Sequence, residues 1–435
     1  MTADLTTLLV YLAPMLLIWA VYAWRRRSRH RHAAALLVES IETGLTEPAS
    51  MHPRIDPALC LGCATCVAAC PEQDVLGLVH GKAVLVQPAS CIGHGACKDA
   101  CPQDAIRLVL GTERNGVEVP ITNAEFETTV PGLFVAGELG GMGLIRNAIT
   151  QGAQAVDAIA KRRVRALDAR AFDLVIVGAG PAGISASLRA KEIGLRTLTV
   201  DQDTLGGTVA HYPRRKLVMT APVVLPGYGT VALHETSKEK LLELWTDVIA
   251  RTQLEIHASE RVTAVRAAGG GFEVVTEQRR FAAASVLLCL GRRGTPRKLD
   301  IEGEELEKVV YRLVDPEQYA GQRVLVVGGG DSALEAAIAL AEVGCPTVTL
   351  TYRSAAFARA KKKNRERLAA LEREGRVDVH LESSPVRITP TSVLIETPMG
   401  EKEIPNEALI VCAGGILPTA FLKACGIEVE VLHGE

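Results

Sequence analysis

Two stretches about 150 residues apart each read as an apolar strand, a glycine turn and a helix: FDLVIVGAGPAG from Phe172, and RVLVVGGGDSALEAAIALAEVG from Arg323. Each is the start of a βαβ unit, in which a buried parallel strand runs into a helix through a turn that only glycines can make. Two such starts commit the chain to an α/β class with two Rossmann-like dinucleotide-binding domains. The length of 435 residues, 48% of them hydrophobic and 23% charged, leaves room for a further small domain, and a net charge of -2 gives no reason to expect nucleic acid.

The first turn carries Gly178, Gly180 and Gly183 in GxGxxG spacing, and Asp201 follows at the end of the next strand, TLTV. Glycines let a pyrophosphate approach the helix N-terminus, and a carboxylate at that distance receives ribose hydroxyls. The second turn, with Gly328, Gly330, Asp331, Ser332 and Ala333, is followed by TVTLTY and then by no acid between Cys345 and Arg365. Arg353 and Arg359 stand there instead, and arginines hold a 2′-phosphate that a carboxylate would repel, so NADPH is expected rather than NADH. The remaining lysines of RAKKKNRER read as a solvated helix face.

Seven of the eleven cysteines lie between positions 60 and 101. Cys60, Cys63, Cys66 and Cys70 precede Pro71 in the spacing CxxCxxCxxxCP. Cys91, Cys97, Cys101 and Pro102 repeat it with His94 in the second place. Tetrahedral zinc also uses CxxC. Two interleaved runs each closed by CP resemble the bacterial two-cluster ferredoxins far more specifically. In that family the fourth cysteine of each run crosses to the other cluster. The resemblance therefore implies one site of Cys60, Cys63, Cys66 and Cys101, and another of Cys70, Cys91, Cys97 and whatever position 94 supplies. His94 could ligate iron, leave a three-iron cluster, or stand by. The expected clusters are one 4Fe-4S and one that is either 4Fe-4S with a histidine ligand or 3Fe-4S. Cys289, Cys345, Cys412 and Cys425 sit in apolar surroundings and read as small core residues.

GAGPAG, then GGTVAHYP with Gly206 and Gly207, LLCLGRRGTPRKLDIEGEE, GGGDSALEAA and ALIVCAGGILPTAFL together resemble the thioredoxin reductase-like flavoproteins over residues 172–435. That resemblance implies FAD at the first fold, NADPH at the second, rotation of one domain against the other, and commonly a dimer. Thioredoxin reductases carry a redox CxxC before GGGDSA, where this chain has YRLVDPEQYAGQR. An active disulfide is therefore absent at that position, and the ferredoxin–NADP reductase branch is the nearer one.

The family closes with TxxPGxFAxGD and a last helix, but this chain ends on GIEVEVLHGE. The missing element stands upstream in TTVPGLFVAGELGGMGLIRNAITQGAQAVDAIAKR, residues 128–162, which implies a circular permutation bridged by 164–171. Gly137 and Glu138 match the family's glycine and aspartate near the FAD ribitol. The competing reading is an unrelated linker domain over 111–165.

Leu5 to Trp24 is 20 residues without a charge, enough to span a bilayer as a helix, and Arg25, Arg26, Arg27, Arg29 and Arg31 follow it. Positive charge after the apolar run suits an anchor with its N-terminus outside, not a cleaved signal peptide. The expected division is 1–24 transmembrane helix, 25–52 basic linker, 53–110 two-cluster ferredoxin domain, 111–165 permuted part of the FAD domain, 166–299 FAD domain, 300–409 NADPH domain and 410–435 a return to the FAD domain. The expected function is a single-pass oxidoreductase of the cytoplasmic membrane, facing the cytoplasm. It moves electrons from NADPH through FAD and the clusters to a quinone, cytochrome or ferredoxin. The reverse direction and a non-catalytic sensor are the alternatives. Hydride transfer to flavin needs no acid–base group, so no catalytic side chain is named.

Overall fold

The computed structural model describes every residue except 1, 49–50, 73, 142, 163–170, 213–216, 220–221, 233–234, 293, 358–359 and 435, and only the backbone of 2–9, 217–219, 235 and 295. Two compact units result: Met1–Thr112 with Gly434–Glu435, and Glu113–His433.

The first unit begins with one continuous helix, α1 (Thr2–Glu42). The expected break between an anchor at 1–24 and a linker at 25–52 is not there. The arginines and the HAAALLVES stretch are good helix formers, and no glycine interrupts them before Gly44. Among the described residues no helix is long and apolar enough to cross a membrane. The side chains of 2–9, which the expected span includes, lie outside the described residues. From Val10 to Trp24 the side chains are apolar and largely exposed before Arg25 begins the basic stretch.

After α1, strand β1 (His52–Ile55) pairs antiparallel with β4 (Ile106–Val109), and β2 (Leu76–Val79) forms a hairpin with β3 (Lys82–Leu85). Each cysteine loop enters a single short helical turn, α2 (Thr65–Ala69) or α3 (Ala96–Asp99). The apolar core is small, and Cys60, Cys66 and Cys97 are themselves part of it, beside Leu76, Ala83 and Ile106. A core built partly from ligands couples the fold to what the ligands hold.

The second unit contains both dinucleotide sheets, the first mixed and the second parallel. Strand β5 (Val117–Pro120) pairs with Val429–Leu432. β6 (Leu133–Val135) lies parallel to Arg280–Leu288, whose other edge carries β7 (Phe172–Val177) and then β8 (Thr197–Val200). Between β6 and β7 comes α4 (Ile145–Lys161), and between β7 and β8 comes α5 (Pro181–Glu192). Segment 128–162 therefore contributes a strand to the first dinucleotide sheet and is not a separate domain. The expected bridge at 164–171 lies outside the described residues apart from Ala171. The second sheet is parallel throughout, in the order Val309–Val310, Ala408–Val411, Arg323–Val327, Thr347–Tyr352 and Val377–Leu381. The expected boundary at 409 thus cuts a strand: Ala408–Val411 fills the place between two neighbours, and the return to the first domain starts only after it.

Candidate functional site

Two small cavities divide the cysteine loops. One is lined by Cys60, Cys63, Cys66 and Cys101, the other by Cys70, Cys91, His94 and Cys97. This is the crossed partition that the ferredoxin resemblance implies. Among the described residues no three His, Cys, Asp or Glu side chains converge on one ion position. Four donors placed around a cavity suit a polynuclear cluster. Burial pushes the Cys66 and Cys97 thiols up to about 11 and raises Cys70 and Cys91 as well. Cys63 is exposed, and the Thr65 hydroxyl 3.2 Å away lowers it. Loading the sites therefore displaces protons from buried thiols.

His94 lines the second cavity, and its Nδ1 is buried with no hydrogen-bond partner. A buried imidazole nitrogen left unsatisfied costs about 1–3 kcal/mol unless something binds it. A cluster iron would supply that bond, so the residues present fit the group. Gly62 has φ +68, and a Cβ there would stand 2.0 Å from Gly81 O, so the loop between the first two cysteines closes only with glycine.

The first dinucleotide cleft has a volume of about 570 Å³, within the range of cofactor sites. Gly178, Gly180, Asp201, Gly207, Gly137 and Glu138 all line it. The nearest atom to a Cβ at Gly180 would be Gly207 Cα at 4.0 Å, so the turn leaves a bare backbone cradle facing the cleft, as a pyrophosphate requires. Gly183 and Gly206 do not line the cleft. Gly183 lets α5 pack on the turn, where a Cβ would stand 1.8 Å from Gly178 O, and Gly206 abuts Leu242. Asp201 is buried; its Oδ2 accepts the Ala179 N–H at 2.5 Å and its Oδ1 the Asp203 N–H at 2.8 Å. Burial raises its pKa despite those donors. Before any ribose arrives, Asp201 already holds the glycine loop to the end of β8.

Sequence reasoning missed three groups here. Buried Gln151, nearly two turns into α4, accepts the Gly137 N–H at 2.9 Å and so fixes the turn before Glu138. His211 lines the cleft, its Nε2 2.6 Å from Asp203 Oδ2. Arg292, which burial holds below the usual guanidinium range, feels the opposing charges of Glu138 and Glu118. All three lie inside the segments quoted for the resemblance, but their own positions carry no signal there; only packing across separate elements brings them in.

The second cleft measures about 750 Å³ and is lined by Gly328, Gly330, Asp331, Ser332 and Arg353. Ala333 is fully buried in the core beneath it, so its part is packing and not contact. Arg359 lies outside the described residues. Asp331 Oδ1 accepts from the Lys361 N–H and from Asn364 Nδ2, each at 2.8 Å, which pins the helix Lys362–Arg373 to the start of the helix Asp331–Glu342. Arg297, Lys298 and Arg312 add cationic side chains that the sequence motif did not indicate.

Residues 175–432 match the family model described as pyridine nucleotide-disulphide oxidoreductase, more than half of the chain. The chain belongs to this family. Residues 52–102 match a 4Fe-4S dicluster domain. Among curated proteins, the ferredoxin–NADP reductase of Ignicoccus hospitalis is 29% identical over 267 residues, 59% of this chain and 82% of that one. The bacilliredoxin reductase Bdr of Bacillus subtilis is 25% identical over 59% of this chain and 81% of its own. The bacillithiol disulfide reductase of Staphylococcus aureus shares the fold, with a TM-score of 0.54 at 24% identity over 60% of this chain and 81% of that one. This pyridine nucleotide-disulphide oxidoreductase is thus an NAD(P)H-dependent flavin oxidoreductase joined to a 4Fe-4S dicluster domain.

Proposed function

We propose that the chain is a membrane-anchored dehydrogenase that takes electrons from NADPH through FAD into two clusters, the second held in part by His94, and passes them to a redox partner. The observation that carries this reading is that His211, Gly294 and Arg312 line both clefts. The two dinucleotide sites therefore open on shared ground, as direct transfer between a nicotinamide and a flavin requires. FAD, when bound, supplies the conversion between two-electron and one-electron chemistry. The chain's own residues bind and orient: the Gly178–Gly180 cradle and Asp201 for FAD, Gly328–Ser332 and Arg353 for NADPH.

We read 128–162 as the family's closing element moved ahead of its first strand. The parallel pairing of β6 with Arg280–Leu288 and the placement of Gly137 and Glu138 in the FAD cleft support this permutation. The anchor rests on the exposed apolar side chains of Val10–Trp24 and the arginines that follow. It places the flavin and cluster parts at the cytoplasmic face.

Anaerobic addition of NADPH to the loaded protein should bleach the flavin band and then the iron–sulfur absorbance. A flavin that stays oxidised would end this reading. Alkaline washing should leave the full chain in the membrane fraction, and its release would remove the anchor.

A further inference from the structure

The β2–β3 hairpin serves as a ruler across the cluster domain. Near its tip Leu78 pairs with Ala83, and at its base the Val86 N–H bonds Val75 O at 2.9 Å. Helix α1 crosses this hairpin obliquely. His30 Nδ1 lies 2.7 Å from Leu78 O, Ala33 packs over Gly77, and Ser40 Oγ donates to Val86 O at 2.8 Å. His32 also reaches Asp74 at 3.1 Å, on the flank of the base. As α1 runs toward its C-terminus it therefore travels from tip to base, and its apolar, arginine-flanked half projects past the tip.

The two cluster sites sit at opposite ends of the same ruler. Lys82 Nζ donates to Cys60 O at 2.7 Å, and the Ala83 N–H points to Cys60 Sγ at 3.4 Å, so the Cys60 site hangs on the tip. The His94 site is lined by Val75 and Leu76 at the base. Strand β4 runs in the same sense: Ile106 lines the Cys60 cavity and Leu108 the His94 cavity, and the chain then leaves this unit at Thr112. The anchor half thus departs at the end of the domain that carries the Cys60 site.

We propose that the site of Cys60, Cys63, Cys66 and Cys101 is the membrane-proximal one, with the exposed side chains of Leu59 and Leu61 resting on the lipid surface, and that the His94 site is distal. Leu59 and Leu61 are 49% and 70% exposed, and they flank the buried ligand Cys60. Apolar side chains at the hairpin-tip end of the domain, the end toward which the Arg25–Arg31 stretch of α1 runs and where it suits anionic headgroups, fit a bilayer interface. The inference rests on the anchoring reading. It adds an order within this unit: lipid surface, all-cysteine site, His94 site.

The test uses the full-length, cluster-loaded protein in vesicles of phosphatidylcholine and phosphatidylglycerol doped with a gadolinium-chelating lipid. Electron paramagnetic resonance of the reduced protein reads the spin relaxation of each cluster. The variant His94→Cys alters or abolishes only the distal signal and so assigns the two. The expected result is relaxation enhanced severalfold more for the signal that His94→Cys leaves unchanged, and the opposite preference with a soluble nickel chelate in place of the lipid. Equal enhancement, or a stronger effect on the His94-dependent signal, would overturn the order while leaving the anchor standing. Failure of the protein to sediment with the vesicles would overturn both.

Discussion

Replacing Gly152 with alanine tests whether segment 128–162 is built into the FAD fold. Gly152 lies inside α4 and is buried against α5, where an added Cβ would stand 2.1 Å from Ala182 O and 2.9 Å from Ala182 C. In a helix with a free face the same change would stabilise by about 1 kcal/mol, since glycine is that much poorer than alanine in a helix interior. Here the methyl meets backbone, which cannot rotate aside, so the helices must separate by more than an ångström. Overpacking of that kind costs about 1–3 kcal/mol or more. The helix α5 that would be displaced begins on the Gly178–Gly180 cradle, so FAD affinity should fall together with stability. Thermal unfolding of the purified protein should show a melting temperature lower by about 2–6 °C, at ~2 °C per kcal/mol for a unit of this size, with free FAD rising in the filtrate. The sign decides: a melting temperature that rises by ~2 °C would mean that α4 does not pack on α5, and the permutation would lose its support.

His94→Cys should lower the midpoint of the second cluster by about 100 mV or more, because a thiolate adds a negative charge that imidazole lacks; redox titration followed by electron paramagnetic resonance checks it, and an unshifted midpoint would make His94 a bystander. Arg353→Ala should raise KM for NADPH about tenfold or more through loss of one charged contact worth about 1.5–3 kcal/mol, with KM for NADH little changed; equal effects on both would remove Arg353 from the phosphate site. Buried Glu260 accepts from Arg279 at 2.5 Å and from the Thr276 hydroxyl at 2.5 Å, which hold its carboxyl below the usual range. A lowered folded pKa gives stability that is present above the unfolded value of about 4.3 and is lost as pH falls through the folded one. Glu260→Gln should therefore flatten the acid limb of the stability profile below that pH, measured by denaturant melts, and an unchanged limb would refute the assignment.

Residue order alone determined the two dinucleotide folds and the two cysteine loops. Those features live in short local signals: GAGPAG after FDLVIV constrains backbone within a dozen residues, and CxxCxxC sets three ligands on one loop, whereas the exchange of Cys70 and Cys101 between the loops was implied by the ferredoxin resemblance and appears in the cavities. The placement of 128–162 was legible too, because TTVPGLFVAGE keeps its strand, its glycine and its acid wherever it stands in the chain. Boundaries were less so. The sequence at 24–25 shows a change of charge and not a helix breaker, so α1 runs on to Glu42, and the strand Ala408–Val411 belongs to the second sheet because its pairing partners lie about 80 and 100 residues upstream.

What only the tertiary structure decided is which distant groups meet. Gln151 under Gly137, the pair His211–Asp203 in the cleft, and Arg312 between the two cofactor sites have no spacing that announces them. The same holds for the direction in which α1 crosses the hairpin, which follows from His30 meeting Leu78 and Ser40 meeting Val86. Motifs that fold on themselves are written in neighbouring residues. Contacts between elements depend on how whole helices and sheets bury their apolar faces, and that is settled by packing over the entire unit.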